Sequence, residues 1–321
     1  MSTIRETRQR LLGLGIAANE ANAILSHAHK PPVPRETLYL HPDRDLAPQT
    51  TAVVEAMASR RLQGEPLAYV LGVKEFWSLL FKVTRDTLIP RPETEMLIEL
   101  SLELYDTDAP LRVLDLGTGT GCLLVSTLTM FPQASGVALD VSSAALAVAI
   151  ENAAAHNLAS RATFVQQDMR HLNNTDDIKS WAGDGFDLVL CNPPYIAQDE
   201  LDVMDTHVVE YEPHVALFAD DNGLDMYKQL VQPLRALVRP GGHVLFEVGF
   251  QQAQDVVAMY TSSGHFGQSG KLNRSILPDL QGIHRVVALQ RNESGPLCQS
   301  PPSQSPKITD NLNGYRSIAA S

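Results

Sequence analysis

The chain has few cysteines, fewer basic than acidic residues, and no long apolar run. Its cysteines, Cys122, Cys191 and Cys298, lie far apart in the 321 residues and form no Cys-x-x-Cys pair. That spacing indicates neither a disulfide framework nor a zinc site. No apolar run approaches the ~18 residues of a membrane helix, and no signal-peptide core follows residues 1–10. We therefore expect a cytoplasmic protein that holds no metal and contacts no membrane.

Acidic side chains outnumber basic ones, 37 to 25, which gives a net charge of −12. A protein that grips nucleic acid needs a basic surface to neutralise phosphates. The charge balance therefore disfavours naked DNA or RNA as the main partner and favours a protein or small-molecule substrate. The hydrophobic share of 44% and the charged share of 19% are typical of a globular protein with room for two domains.

The composition changes along the chain and divides it into parts. Residues 1–68 contain apolar-periodic segments separated by proline-containing loops, which predicts a helical domain, either a structural cap or a partner-recognition module. Residues 69–93 carry aromatic and β-branched residues in partial alternation and predict a β-hairpin linker. Residues 292–321 are rich in Ser, Pro, Gln and Asn, which predicts a disordered tail.

Residues 94–291 alternate strands and helices, which predicts an α/β domain with a mostly parallel sheet and helices on both faces. Strands are predicted at 111–116, 137–140, 162–166, 186–191, 243–248 and 283–289, and helices at 94–105, 122–130, 144–156, 223–238 and 251–262. Just before this domain, Pro90-Arg91-Pro92-Glu93 is either a rigid connector or a rigid arginine and glutamate beside a ligand site.

A glycine-rich turn joins the first strand of this domain to its helix. The turn is Gly117-Thr118-Gly119-Thr120-Gly121. Glycines let the backbone approach a ligand closely, and a helix N-terminus offers free N–H groups. The turn resembles a dinucleotide-binding fingerprint but lacks its third-glycine spacing, so taken alone it is a weak signal.

Two acidic residues follow the next two strands. Asp140 ends the second strand, where a carboxylate can accept both hydroxyls of a ribose. The alternative is that Asp140 caps the next helix, near Ser142 and Ser143. Asp168 follows the third strand and could accept a hydrogen bond from an adenine amino group, or be a surface acid in a loop.

The fourth strand, residues 186–191, stops on Asn192-Pro193-Pro194-Tyr195. The two prolines cannot donate to a strand ladder, so pairing must end there. Asn192 then offers a donor and an acceptor at the sheet edge where α/β folds bind ligands, although a plain proline turn is the alternative. The acidic residues 196–224 suggest a substrate-shaping loop. Within them His207, Glu210 and His214 match no standard zinc spacing.

The glycine turn, Asp140 and the Asn-Pro-Pro-Tyr motif together resemble the class I S-adenosylmethionine-dependent methyltransferase fold. That fold is a Rossmann-like, mostly parallel seven-stranded sheet whose last strand is antiparallel. The Asn-Pro-Pro-Tyr motif is similar to the one shared by members that methylate adenine, cytosine or glutamine amide nitrogens.

Further motifs narrow the resemblance to the HemK/PrmC family. They are Gly64 to Tyr69, Glu75-Phe76-Trp77, Leu88 to Glu95, Glu212-Pro213, Arg239 to Gly242 and Asp279 to Gly282. The resemblance implies methylation of the amide nitrogen, N5, of the glutamine in the Gly-Gly-Gln loop of peptide chain release factors. It also implies that the N-terminal helical domain helps to bind the factor.

The resemblance implies two sets of site residues. Asn192, Pro193, Pro194 and Tyr195 would be catalytic and bind the substrate. S-adenosyl-L-methionine would be bound by Gly117, Thr118, Gly119, Thr120, Gly121, Asp140, Asp168, Met169 and Asn192. Met169 departs from the family, since many members carry an aromatic residue there against the adenine. Glu210 and the tail after residue 291 also depart from the pattern.

Other functions remain open at this point. A ribosomal-protein glutamine N5-methyltransferase would share the Asn-Pro-Pro-Tyr motif and differ in its N-terminal domain. Adenine-N6 methylation of DNA or RNA fits the motif, because adenine also presents an exocyclic amine, but it fits the acidic balance poorly. A protein that binds the cofactor and docks a partner without catalysis is the third alternative, and the intact motif argues against it.

Overall fold

The computed structural model describes residues 2–172, 175–197 and 206–293. The predicted tail therefore lies, from residue 294 onward, outside the described residues. The helices of the described part, α1 to α12 in chain order, are Ile4–Gly13, Ala18–His27, Arg35–Leu40, Pro48–Leu62, Leu67–Leu71, Glu95–Leu104, Cys122–Met130, Ser143–Ala155, Thr175–Ala182, Thr206–Tyr211, Asp225–Leu237 and Ala253–Ser262. Its strands, β1 to β12, are Val73–Phe76, Leu79–Lys82, Arg112–Leu116, Ser135–Asp140, Ala162–Gln166, Phe186–Cys191, Ile196–Ala197, Phe218–Ala219, Val238–Glu247, Phe266–Gly267, Ile276–Pro278 and His284–Arg291.

The main sheet has the strand order β10-β12-β9-β6-β3-β4-β5. Strands β9, β6, β3, β4 and β5 pair in parallel, and β12 pairs with β9 antiparallel. This confirms the predicted α/β fold with its antiparallel last strand. It differs from the seven strands expected in one respect, because the short β11 also pairs with β12 and makes the sheet eight-stranded.

The sheet is buried on both faces. In β6, Leu188 and Leu190 belong to the apolar cluster on one face, while Val189 and Cys191 belong to the cluster on the other. Successive side chains of a strand point to opposite faces, so an uninterrupted apolar run suits a strand that helices cover from both sides. Cys191 and Cys122 are buried free cysteines within these clusters.

The N-terminal helices form a separate apolar core. Leu11, Ile24, Leu25 and Val54 are buried together in it. The first helix begins with a capping box, in which Thr3 accepts a hydrogen bond from the backbone of Glu6 and the Glu6 side chain accepts one from Thr3. Helix α3 lies between the two proline-containing loops and was not predicted.

The linker begins later than the composition suggested. Residues 69–71, which we placed in the hairpin, belong to helix α5, and the hairpin consists of β1 and β2. Pro66 directly precedes α5, and Gly72 ends it with φ 75°. Proline before a helix and left-handed glycine after it are standard boundary signals, and here they outweigh the strand-like composition.

No helix of the described part is long and apolar enough to cross a membrane.

Asn152 in α8 ties the hairpin to the glycine turn. Its side chain is buried, and Oδ1 accepts a hydrogen bond from Lys82 N at 2.7 Å. Its Nδ2 donates to Lys82 O at 3.0 Å and to Thr120 O at 2.8 Å. One amide therefore satisfies backbone groups of two segments that are far apart in the chain.

We expect Asn152→Ala to lower the free energy of unfolding by about 2–4 kcal/mol, because it leaves the buried Thr120 carbonyl and the backbone N–H and carbonyl of Lys82 unpaired. Urea unfolding followed by circular dichroism measures this change. Glu151→Ala is the matched control, since Glu151 also bonds to Lys82 but its side chain is 58% exposed. Loss of such a surface pair costs less than about 1 kcal/mol. Equal losses for the two variants would contradict this account of Asn152.

Candidate active site

A cavity of about 460 Å³ lies where the parallel strands β3, β4, β5 and β6 end. Most of the residues predicted to form the site line it, namely Gly117, Gly119, Asp140, Asp168, Met169, Asn192 and Pro194. The segment before and into α11 also lines the cavity, through residues that include Pro213, Phe218 and Met226. The carboxyl edge of the sheet therefore gathers the strand-end residues as the sequence predicted.

The other three residues of the glycine turn, Thr118, Thr120 and Gly121, hold its backbone in place through contacts outside the cavity. Thr118 is buried, and its hydroxyl donates to Asp115 Oδ2 at 2.6 Å. The Thr120 carbonyl is held by Asn152. At Gly121 a Cβ would lie 3.1 Å from the Cβ of Ala149, so this glycine allows close packing of the turn on α8. None of the three is in the lining of the cavity.

Gly117 lies on the cavity wall in a backbone conformation that favours glycine. Its φ is +73°, and a Cβ there would lie 2.7 Å from Cε of Met169. The Met169 side chain therefore lies directly over the turn. This places Met169 at the cavity wall, although its predicted contact with an adenine ring stays a prediction.

Asp140 is held by two backbone N–H groups. Its Oδ2 accepts from Gly119 N and its Oδ1 accepts from Ser142 N, both at 2.9 Å. Burial raises the pKa of Asp140, and these hydrogen bonds oppose the rise. The cap of helix α8 is Ser142, whose hydroxyl accepts from Ala145 N. Asp140 is therefore not the N-cap of α8, so the alternative interpretation of Asp140 as a helix cap is wrong. Its carboxylate lies beside the cavity.

Asp168 also borders the cavity, but its carboxylate is already engaged. It accepts from the backbone N of Arg170 at 2.9 Å and from the Arg170 guanidinium at 2.6 Å. The Arg170 guanidinium lowers the pKa of Asp168 below its ordinary value. These bonds favour the alternative of a loop acid, and a contact with adenine stays a prediction.

The Asn192-Pro193-Pro194-Tyr195 motif is anchored by two residues that the sequence analysis did not assign to the site. Asn192 Nδ2 donates to Thr94 Oγ1 at 3.2 Å, and Thr94 Oγ1 donates to Glu247 Oε2 at 2.6 Å. The Tyr195 hydroxyl donates to Glu247 Oε1 at 3.2 Å. Burial raises the pKa of Glu247, while its hydrogen bonds from Thr94 and Tyr195 act in the opposite direction.

Pro193 and Tyr195 lie outside the cavity lining. Pro193 is buried, and the ring of Tyr195 packs against the apolar core on the α11 side of the sheet. Gln252 Nε2 donates to the Tyr195 carbonyl at 2.9 Å and to the Asn222 carbonyl at 3.1 Å. These contacts fix the backbone where it leaves the motif.

The segment after the motif is fastened to the linker through Glu212. This glutamate is buried and accepts from Ile89 N at 3.0 Å and from the Arg91 guanidinium at 2.6 Å. Arg91 therefore acts as a structural connector between the linker and this segment. Residues 198–205 of the predicted substrate-shaping loop lie outside the described residues.

Of the two residues that the sequence analysis missed, Glu247 carried a recognisable signal and Thr94 did not. Glu247 ends an apolar strand, which is the same signal that marked Asp140, and it could have been found in that way. Thr94 gave no such signal, because it sits inside the start of a helical segment. Among residues 2–172, 175–197 and 206–293, no group of His, Cys, Asp and Glu side chains is arranged to hold a metal ion.

Comparison with known protein families gives two matches. The model described as "Methyltransferase domain" matches residues 107–257, and the model described as "PrmC N-terminal domain" matches residues 2–72. The two matches cover the predicted α/β domain and the predicted helical domain in large part.

Individual relatives extend along most of the chain. A release factor glutamine methyltransferase of Cereibacter sphaeroides is 42% identical over 289 residues, which are 89% of this chain and 96% of the relative. One of Nitratidesulfovibrio vulgaris is 35% identical over 289 residues, which are 90% and 94% of the two chains.

A solved structure of a release factor-specific protein-(glutamine-N5) methyltransferase from Alicyclobacillus acidocaldarius is 27% identical, with a TM-score of 0.37. The match covers 66% of this chain and 99% of that one. Because this superposition is loose, the family follows from the sequence relatives, which match both the helical part and the α/β domain. As its motifs predicted, the chain belongs to the release factor glutamine methyltransferase family.

Proposed function

We propose that this chain transfers the methyl group of S-adenosyl-L-methionine to the side-chain amide nitrogen of the glutamine in the Gly-Gly-Gln loop of peptide chain release factors. The observation that carries the proposal is the match of residues 2–72 to the PrmC N-terminal domain, in a chain whose Asn192 lies on the cavity wall. The Asn-Pro-Pro-Tyr motif alone fits several planar amines. The N-terminal match favours the release factor among them.

The residues around the cavity fit S-adenosyl-L-methionine. Gly117 and Gly119 bring bare backbone to the wall, so the amino-acid part of the cofactor can approach it. The Asp140 carboxylate lines the cavity and would accept the ribose hydroxyls. Val141 and Met169 offer apolar surface to the adenine. When bound, the cofactor supplies an electrophilic methyl group carried on a sulfonium sulfur.

Asn192 would orient the glutamine amide. The lone pair of an amide nitrogen is delocalised into the carbonyl, so the nitrogen is a poor nucleophile. Since Nδ2 of Asn192 already donates to Thr94, its Oδ1 is the end that can accept an amide hydrogen from the substrate. The Pro193 carbonyl is the proposed acceptor of the second hydrogen. Together they would aim the nitrogen and stabilise the positive charge that develops on it.

The remaining groups of the motif would restrict this geometry. Pro193 and Pro194 limit the backbone torsions. Tyr195 lies outside the cavity lining, so its predicted packing against the flat amide stays a prediction. In the reaction the amide nitrogen forms a bond to the methyl carbon while the carbon–sulfur bond breaks. The extra proton on the nitrogen then leaves to water, so no strong general base is needed before transfer.

We expect radiolabelled methyl groups to pass from S-adenosyl-L-methionine to a purified release factor and not to its Gln→Ala variant in the Gly-Gly-Gln loop. The initial rates should differ at least about 100-fold, because the variant lacks the nucleophile. A ribosomal protein and an adenine-containing DNA duplex serve as competing acceptors. Equal labelling of the two factor forms, or faster labelling of either competitor, would overturn the proposal.

A further inference from the structure

We propose that Thr94 and Glu247 are positioning residues that set the direction of the Asn192 amide, so that its oxygen and not its nitrogen faces the substrate. This inference rests on the proposed function, since it assigns the substrate amide to the oxygen of Asn192. It adds residues from two other elements to the Asn-Pro-Pro-Tyr motif.

The first step is the direction of the Thr94 hydrogen bond. Thr94 and Glu247 are both buried, with 3% and 2% of their surface exposed, so water does not compete for these groups. A hydroxyl has one hydrogen, and a carboxylate only accepts. At 2.6 Å the Thr94 hydrogen is therefore committed to Glu247 Oε2.

The second step is the direction at Asn192. Because the Thr94 hydrogen is already used, its oxygen can only accept a further hydrogen bond. The end of the Asn192 amide that lies 3.2 Å from Thr94 Oγ1 must therefore be the nitrogen. The oxygen is left as the end that can meet a substrate N–H at the cavity wall.

The third step is the state of Glu247. Its other oxygen accepts the Tyr195 hydroxyl at 3.2 Å, so both carboxylate oxygens act as acceptors. Burial raises the pKa of Glu247, and the hydrogen bonds from Thr94 and Tyr195 and the positive charge of Arg285 oppose that rise. An ionised Glu247 is the state that commits the Thr94 hydrogen.

A reversed Asn192 amide would be unproductive. Its NH₂ group would then face the NH₂ group of the glutamine, and two sets of donors would oppose each other. The substrate nitrogen would lose its acceptor and with it the charge stabilisation in the transition state. The network therefore acts on the catalytic step, while cofactor binding at Gly117 and Asp140 lies outside it.

The hydrogen bonds of Thr94 also give a role to the short turn that follows the linker. Thr94 is the last residue of the short helical turn Pro92–Thr94, which leads directly into α6. Asn192 follows β6 and Glu247 ends β9, so a short turn of the linker meets the ends of two neighbouring strands. The Pro92-Glu93-Thr94 motif thus contributes a side chain to the site as well as a rigid connection.

The test is to remove the Thr94 hydroxyl without changing the shape of the side chain. For Thr94→Val we expect kcat for methyl transfer to a release factor to fall about 10- to 100-fold, as for a misdirected positioning group. KM for the factor and Kd for S-adenosylhomocysteine should stay within about threefold of wild type. Thr94→Ser keeps the hydroxyl, and its kcat should return to within about threefold of wild type.

Thr127→Val is the matched control. It removes another buried threonine hydroxyl, which donates to the Leu123 carbonyl within α7, and should leave kcat unchanged.

Thr94→Ala replaces Thr94→Val if the latter does not fold, with the same expected loss. Wild-type kcat in a hydroxyl-free variant, or no recovery in Thr94→Ser, would overturn the inference. So would a loss found in KM or Kd alone. If the wild-type chain labels no release factor, the proposed function has failed instead.

Discussion

Replacing Asn192 by alanine is expected to lower kcat for methyl transfer about 1,000-fold, close to what loss of a transition-state hydrogen bond costs in other enzymes. The affinity for S-adenosylhomocysteine should fall less than about threefold, because Gly117, Gly119 and Asp140 supply the main polar contacts proposed for the cofactor. Single-turnover radiolabel transfer measures the first quantity and titration calorimetry measures the second.

The size of the effect follows from what the alanine removes. The substrate nitrogen loses its proposed acceptor and the orientation that this acceptor imposes, and both contribute mainly in the transition state. The fold should change little, since the Asn192 side chain makes a 3.2 Å bond to Thr94 that alanine simply leaves out. Loss of that bond should lower the free energy of unfolding by about 1 kcal/mol.

The thermal midpoint and the far-UV spectrum of the variant are the necessary controls. A folded Asn192→Ala that retains more than a tenth of the wild-type kcat would argue against a role for this side chain in the transfer step. An equal fall in cofactor affinity and kcat would assign Asn192 to cofactor binding instead.

The sequence predicted which strand-end residues lie together where the signal was local. Gly117 and Asn192 directly follow apolar strands and Asp140 ends one, and parallel strands bring such ends to one edge of the sheet. The sheet follows from the same rule, because the strands of the main sheet are separated by helices from residue 112 to residue 262. No knowledge of distant contacts was needed for these features.

The remaining features depend on contacts that the sequence does not display. Thr94 and Glu247 are 153 positions apart, and their hydrogen bond joins the turn Pro92–Thr94 to the end of β9. Glu212 likewise meets Arg91 across 121 positions. Periodicity describes which face of an element is buried, but it does not say which polar side chain of another element will lie against it.

The short helix α5 shows a different limit. Its apolar and aromatic residues, Leu67 to Leu71, suit a strand as well as a helix, since so short a run has no resolved period. The boundary residues Pro66 and Gly72 settle the matter in favour of helix. Composition alone was a poor guide in this segment.

Asp140→Ala is expected to act on the cofactor before it acts on the chemistry. We expect Kd for S-adenosylhomocysteine to rise about 10- to 100-fold, corresponding to the loss of charge-assisted hydrogen bonds worth about 1.5–3 kcal/mol. At saturating cofactor, kcat should fall less than about tenfold, because Asn192 is intact. Part of the effect arises in the protein itself, since Gly119 N and Ser142 N lose their acceptor.

Asp140→Asn removes the negative charge of the side chain and keeps its shape. The pH dependence of cofactor affinity is then compared between this variant and the wild type. Burial raises the pKa of Asp140, so on acidification it takes up a proton at a higher pH than an ordinary aspartate. The neutral form accepts hydroxyl hydrogens less well, and cofactor affinity should therefore weaken as the pH falls through that raised pKa. In Asp140→Asn this contribution is absent at every pH. Asp115, whose pKa burial raises to about 7, is present in both proteins, but the charge of Asp140 contributes to that rise, so Asp115 should titrate at a lower pH in Asp140→Asn. Parallel pH profiles would show that the Asp140 carboxylate does not hold the cofactor.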